Sequence, residues 1–336
     1  MMTAPIPHIP VLTLVLAGGA DSVQSVMGHW SPLPVEQLLL GRDTANVNAL
    51  LNTMLVLCRH AQSAASAHAL AAAQSARVSL IVHNDPVELE AARETLRRWL
   101  MDFPTVFGGD WSSPVIAQWA RLDSRERVAD FCSTHVFGLS ASAWLVLSKP
   151  ELRQWARNVT TLPARWLRDL LEHARRPVDV APADVLRYVD KNAMALLTEA
   201  GQSEAWPAHA ALWDEPERAP DLASALLFMR LRRLARFCAG PEHRASATTG
   251  SLRHGNIGIG WARCARGVLV HLARVRNGKV AAYRIITPTR WNFGPTNLLQ
   301  HALRGLSWDA AQPLAQRLAL LLDPCTPYRI EVANHA

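Results

Sequence analysis

Residues 255–292 read GNIGIGWARCARGVLVHLARVRNGKVAAYRIITPTRWN. Two runs within them, Val268 to Val275 and Lys279 to Ile286, are rich in β-branched residues and predict strands. Between the runs lies Asn277-Gly278, the pair favoured where a two-residue hairpin turn needs φ > 0 at both positions. A hairpin here carries its two flanks to one place. Cys264-Ala265-Arg266-Gly267 leads into the first strand, and Thr287-Pro288-Thr289-Arg290-Trp291-Asn292 leaves the second. A helical run follows, and Asp323-Pro324-Cys325 comes near the C-terminus.

Residues 33–74 are the second informative stretch. Leu38, Leu39 and Leu40 end a short helix at Gly41, and Asp43 or Thr44 caps a long one. Leu50, Leu51, Met54, Leu55, Cys58, Gln62 and Ala65 recur at the 3–4 spacing of one helix face, which sets Cys58 and Gln62 one turn apart. The alanine-rich run from Ala64 to Ala73 lets another backbone approach closely. Elsewhere the pattern predicts short strands over Val11–Leu16 and Val78–Val82. Helices are predicted over Val87–Leu100, Ser113–Leu122, Ala164–Ala174, Ala183–Glu199 and Leu222–Cys238. A further helix starts at the Ser148-Lys149-Pro150-Glu151 capping box. Pro207–Pro220 reads as a connection.

The chain has 336 residues, 49% of them hydrophobic and 19% charged, a composition that buries a core and excludes disorder. No apolar run is long enough to span a membrane, and Ile9–Ala20 lacks the basic flank of a secretory leader, so a cytoplasmic protein is expected. The formal charge is +7. The arginines are scattered over helices, as in Arg93, Arg97 and Arg98 or Arg230, Arg232, Arg233 and Arg236. No nucleic-acid recognition motif accompanies them, so an acidic protein partner is the expected use of the charge. Five cysteines with no C-x-x-C pair exclude a disulfide framework and a local zinc motif. Cys132 and Cys238 read as core, and the tryptophans as core and interface residues.

The order of these segments resembles the large subunit of nickel-iron hydrogenases. That family has a Gly-Arg dipeptide before a Cys-x-x-Cys-x-x-x-His helix, and Gly41-Arg42 with Cys58 fit parts of it. In this register Leu55 stands at the first cysteine place and Gln62 at the histidine place. Arg266-Gly267, the Asn-Gly hairpin and Pro288-Thr289-Arg290-Trp291-Asn292 follow in the family's order. Asp323-Pro324-Cys325 opens the closing motif, with Tyr328 at its second cysteine place and Glu331 at its histidine place. Near the N-terminus Met27-Gly28-His29 sets Met27 where the family has a proton-relay glutamate.

The resemblance implies a mostly α fold (α+β), a large-subunit-like helical core with a C-terminal β-hairpin. The chain is then one large-subunit-like domain, with motif-bearing segments 30–75 and 255–336 and a variable helical middle at 76–250. Two thiolates remain at ligand-like places, Cys58 and Cys325. They suit a low-spin iron that already carries carbon monoxide and cyanide, but not the four-sulfur cage of nickel. Arg266 stands at the place of the arginine beside the cyanides; Pro288 and Thr289 stand beside the second cyanide. Cys264 replaces an apolar residue and reads as a packed thiol. The pattern resembles the degenerate large-subunit relatives of the HupK/HoxV type. These imply a non-enzymatic auxiliary of hydrogenase maturation that holds the iron fragment, with a small Hyp-type accessory chaperone and the apo large subunit as partners. The alternatives are a metal-free structural partner with a dead site and a residual redox enzyme. A thiol hydrolase on Cys58 lacks a dyad, since His60 lies on the wrong side of the helix.

Overall fold

The computed structural model describes residues 10–31, 33–74, 84–173, 184–198, 221–243, 247–294 and 298–334. The expected strand Val78–Val82 and the connection Pro207–Pro220 lie outside these residues.

A four-stranded antiparallel meander forms the frame of the site. Its strands are β3 (Thr249–His254), β4 (Ile257–Cys264), β5 (Gly267–Arg276) and β6 (Lys279–Ile286), in that order. The predicted hairpin is its β5–β6 half. Asn277 and Gly278 turn it with φ of 52° and 73°, and Arg276 faces Lys279 across the turn. Alternation along the strands separates two buried faces. Leu269, Ala273, Tyr283 and Ile285 face a cluster with Val47, Leu51, Ala61, Ala65 and Ala69. Val268, Val270, Leu272 and Ile286 face the helix Val185–Thr198 through Val189 and Ala193.

The helix Arg59–Gln74 lies across β4 at backbone distance. A Cβ on Gly258 would stand 1.9 Å from the Ala69 carbonyl oxygen, and one on Gly260 would stand 2.0 Å from that of Ala65. Glycine on the strand and alanine on the helix together allow this approach. The loop ahead of it is pinned to the hairpin, since Gly41 N–H donates to the Val280 carbonyl and Val280 N–H to that of Arg42, both at 2.9 Å.

The single long helix expected from residue 44 to 74 is instead two helices, Val47–Met54 and Arg59–Gln74, joined by a 3-10 turn at Val56–Cys58. Leu55 leaves the helical region (φ −115°, ψ 72°). The new N-terminus is capped from outside. Glu90, on the helix Asp85–Met101, accepts from His60 N–H at 2.8 Å and Ala61 N–H at 3.1 Å. A carboxylate satisfies two of the amides that a helix start leaves open.

At the chain ends a second sheet has the order β2-β1-β7, from β1 (Leu12–Gly18), β2 (Val23–His29) and β7 (Tyr328–Asn334). β1 is antiparallel to β2 and parallel to β7, with Leu12 opposite Tyr328. Only β1 was expected. The middle helices form Lys149–Asn158, Leu162–Glu172 and Leu222–Ala239 around a core with Trp99, Trp144 and Trp166 fully buried. The capping box forms as expected, with Ser148 N–H donating to Glu151 at 2.7 Å. Among the described residues no helix is long and apolar enough to cross a membrane.

Candidate functional site

Cys58, Cys264, Arg266, Pro288 and Cys325 line one largely apolar cavity of about 440 Å³. Leu55, Val56, Leu57 and Ile285 supply part of its wall. The 3-10 turn delivers Cys58, the β4–β5 turn delivers Cys264 and Arg266, and the helix Pro288–Phe293 delivers Pro288. Cys325 follows the helix Trp308–Leu322. Residues from opposite ends of the sequence thus face one space.

The two outer thiols each have a protein hydrogen bond. Gln62 Nε2 donates to Cys58 Sγ at 3.6 Å. Thr289 Oγ1 donates to Cys325 Sγ at 3.1 Å and accepts from Cys325 N–H at 3.0 Å. Thr289 is buried and does not line the cavity; its hydroxyl serves Cys325. Pro288 lines the wall without an N–H of its own. Cys264 donates its thiol to the Gly267 carbonyl at 3.4 Å, as a packed residue does. Burial pushes the Cys58 thiol well above its ordinary range; neighbouring Cys264 and Cys325 add to this, while Arg266 and Gln62 oppose it. Such a thiol ionises when a cation or a bound metal arrives to hold the charge.

Arg266 is buried, yet only part of its fork is used. Nη2 bonds Glu94, and Nε lies 3.5 Å from Asp323. Nη1 is buried without a hydrogen-bond partner. Burial works against the guanidinium charge, but Asp323 and Glu94 more than offset it, and its pKa is raised. Arg266 lines the cavity, and a buried guanidinium N–H without an acceptor is a donor for an anionic or strongly accepting ligand atom.

Asp323 is the hub of the C-terminal turn, a role the motif alone does not reveal. Its backbone takes the left-handed conformation (φ 55°) that ends the preceding helix. The carboxylate bonds Arg98 and faces Arg230 Nη1 at 3.7 Å as well as Arg266. Burial pushes its pKa up, the three arginines pull it down, and the arginines prevail. Arg230 also donates to the Leu321 carbonyl, and Asn292 to that of Leu322, so the last two helical carbonyls are satisfied. Arg98 and Arg230 are therefore internal, not members of a scattered basic surface. A signal existed: Arg230 falls four residues after Leu226 and four before Leu234, on the buried face of its helix.

The remaining expected positions, Tyr328, Glu331 and Met27, do not line the cavity. Tyr328 opens β7, and Glu331 on the same strand is exposed and paired with Arg329 at 2.7 Å. Met27 is 47% exposed on β2. Among the described residues no three His, Cys, Asp or Glu side chains cluster as the ligands of a metal ion would.

A profile of the nickel-dependent hydrogenase family matches residues 239–304, which contain the meander and its flanks. The fold is similar to that of a chain of an NAD+-reducing [NiFe]-hydrogenase in the H2-reduced state. The TM-score is 0.51 at 13% identity, over 90% of this chain and 92% of that one. The molecule is thus a fold relative of nickel-iron hydrogenases, with Leu55 and Tyr328 where the resemblance places two of the cysteines. Over nine-tenths of its length it is similar to named hydrogenase expression/formation proteins. HoxV of Cupriavidus necator is 25% identical, over 90% of this chain and 91% of its own. HupK of Rhizobium leguminosarum bv. viciae is 27% identical, over 91% of each.

Proposed function

We propose that this protein is a non-catalytic auxiliary of nickel-iron hydrogenase maturation that holds the iron-carbonyl-cyanide fragment and passes it to the hydrogenase large subunit. The single observation that carries this is the cavity: Cys58 and Cys325 face one apolar space with Arg266, whose Nη1 has no partner of its own. The names and full-length similarity of the HoxV and HupK relatives support the maturation role. Two soft thiolates suit an iron whose other positions are filled by diatomic ligands, and they leave nickel without its sulfur cage. The unpartnered Arg266 N–H would donate to a cyanide nitrogen. Thr289 would orient the Cys325 sulfur through their hydrogen bond, a supporting contact of the kind that fixes metal ligands. The partners in this reading are the small Hyp-type accessory chaperone that brings the fragment and the apo large subunit that receives it.

Infrared spectroscopy of the protein purified from a hydrogenase-producing host tests this. Carbonyl and cyanide stretches are expected from the wild type and absent from Cys58→Ala and Cys325→Ala, with both variants folded and hydrogenase maturation impaired. Maturation that proceeds unchanged in both variants would leave the dead-site partner as the reading. One nickel per chain surviving dialysis would favour the redox enzyme.

A further inference from the structure

The hydrogen bond on Cys58 is the last link of a longer buried chain. Gln62 Oε1 lies 2.7 Å from His271 Nε2, and His271 Nδ1 lies 2.7 Å from Tyr283 Oη. The three residues come from the helix Arg59–Gln74, β5 and β6, and their exposures are 2%, 0% and 5%. The fragment-holding role proposed above uses neither His271 nor Tyr283.

Donor accounting gives the chain a direction. The amide nitrogen of Gln62 is on the Cys58 side, so the atom meeting His271 is a carbonyl oxygen, which only accepts. His271 Nε2 therefore carries a proton. Burial holds the ring neutral, with its pKa down to about 3, so Nδ1 has none and accepts from Tyr283 O–H. Protons point one way: Tyr283 to His271, His271 to Gln62, Gln62 to the sulfur. The opposite direction would turn the carboxamide, put the ring proton on Nδ1 and present Cys58 with an acceptor.

We propose that His271, backed by Tyr283, is a positioning residue for Cys58. It locks the Gln62 carboxamide with its N–H toward the sulfur, so that Cys58 meets its ligand as a hydrogen-bonded acceptor. What that ligand is rests on the function proposed above; the direction of the chain does not. A donor on a metal-bound thiolate draws electron density from the metal, as supporting contacts around metal ligands do. Less density then reaches the antibonding orbitals of a bound carbonyl, and its stretching frequency rises.

Two measurements on the full chain test this. The first is NMR of the 15N-histidine-labelled protein, with the His271 signals identified by their loss in His271→Leu. His271 is expected in the Nε2–H form, unchanged between about pH 5 and 8, where an ordinary histidine titrates. An Nδ1–H form would overturn the proposal whether or not iron is ever bound. The second is the infrared spectrum of the loaded protein in His271→Leu and in the milder, shape-conserving Tyr283→Phe. The carbonyl stretch is expected to fall in both, further in the leucine variant. Unshifted bands in both would make the chain structural only. Bands missing from every form, wild type included, with the Nε2–H tautomer present, would count against the iron reading and leave the chain's direction standing.

Discussion

Around Cys58 the side chains that lead to the sulfur are neutral, a carboxamide, an uncharged imidazole and a phenol, on a helix laid on glycines of β4 and capped by Glu90. Around Cys325 the supports are ionic. Asp323, two residues earlier, is enclosed by Arg98, Arg230 and Arg266. One sulfur is thus placed by packing and hydrogen-bond direction, the other by the Thr289 hydroxyl and, two residues earlier, a network of buried charge. The two kinds of support fail differently. A neutral chain loses orientation when a link is cut, while a charge network leaves its remaining members buried without a counterion. The division also leaves Arg266 in an unusual position, tied to the ionic side by Asp323 and Glu94 yet lining the cavity beside both thiols.

The largest effect is expected on the ionic side. Asp323→Ala removes the anion shared by three arginines and should destabilise the fold by about 3–5 kcal/mol, read by denaturant unfolding. Asp323→Asn tolerates the left-handed backbone and isolates the charge from the turn. The pH dependence has a defined sign. The folded pKa of Asp323 lies below its unfolded value, so its contribution is complete above the unfolded pKa near ~3.9 and is lost as pH falls through the folded one. Wild type should lose stability in that acid window more steeply than Asp323→Asn. Equal slopes would mean the carboxylate is not the hub.

On the neutral side the sharpest break is Gly260→Ala. Its Cβ would sit 2.0 Å from the Ala65 carbonyl oxygen and 2.4 Å from Ala69 N, backbone atoms that cannot rotate away. Separating the helix from β4 should cost about 1–3 kcal/mol or more. It should also move Gln62, on the helix, away from His271, on the neighbouring strand β5 of the same sheet. Wild-type stability in this variant would show that the close approach is not what seats Cys58.

Much of this arrangement is legible in the sequence because it is local. Asn277-Gly278 announces the β5–β6 hairpin, and the hairpin brings Arg266 and Pro288 together. The alanine run announces close packing, although not that Gly258 and Gly260 receive it. What the sequence hides depends on distant partners. Leu50, Leu51, Met54, Leu55, Cys58 and Gln62 keep helical spacing straight across the break at Leu55, because the cap that allows the break is Glu90, thirty residues later. β7 alternates, with Tyr328 and Ile330 against the core and Arg329 and Glu331 outside, but its pairing with β1 spans the whole chain. Arg98 and Arg230 are hard to single out because the arginines beside them, such as Arg97 and Arg232, are half-buried as well.

Arg266 joins the two sides, and Arg266→Lys separates its roles. The ammonium keeps the charge near Asp323 and Glu94 but loses the planar fork. Retention of the iron fragment should weaken less than in either cysteine variant, with a stability loss of about 1–3 kcal/mol from the unmatched hydrogen bonds. Infrared band intensity per chain and denaturant unfolding read the two effects. Retention abolished as fully as in Cys58→Ala would place the fork, not the thiols, at the centre of binding.

The smallest effect belongs to Glu331. It stands at the histidine place of the closing motif that the sequence resembles, so a ligand role there would make its removal costly. The structure puts it on β7, opposite Val15 in register and half-exposed, bonded to the more exposed Arg329. An exposed pair of this kind contributes about 0.5 kcal/mol or less, because water screens the attraction and ordering two long side chains opposes it. Glu331→Gln should therefore shift stability by no more than that and leave the infrared bands of a loaded protein in place. A loss of bands in this variant, with stability unchanged, would move the edge of the site from Cys325 out to β7 and end the two-thiol description.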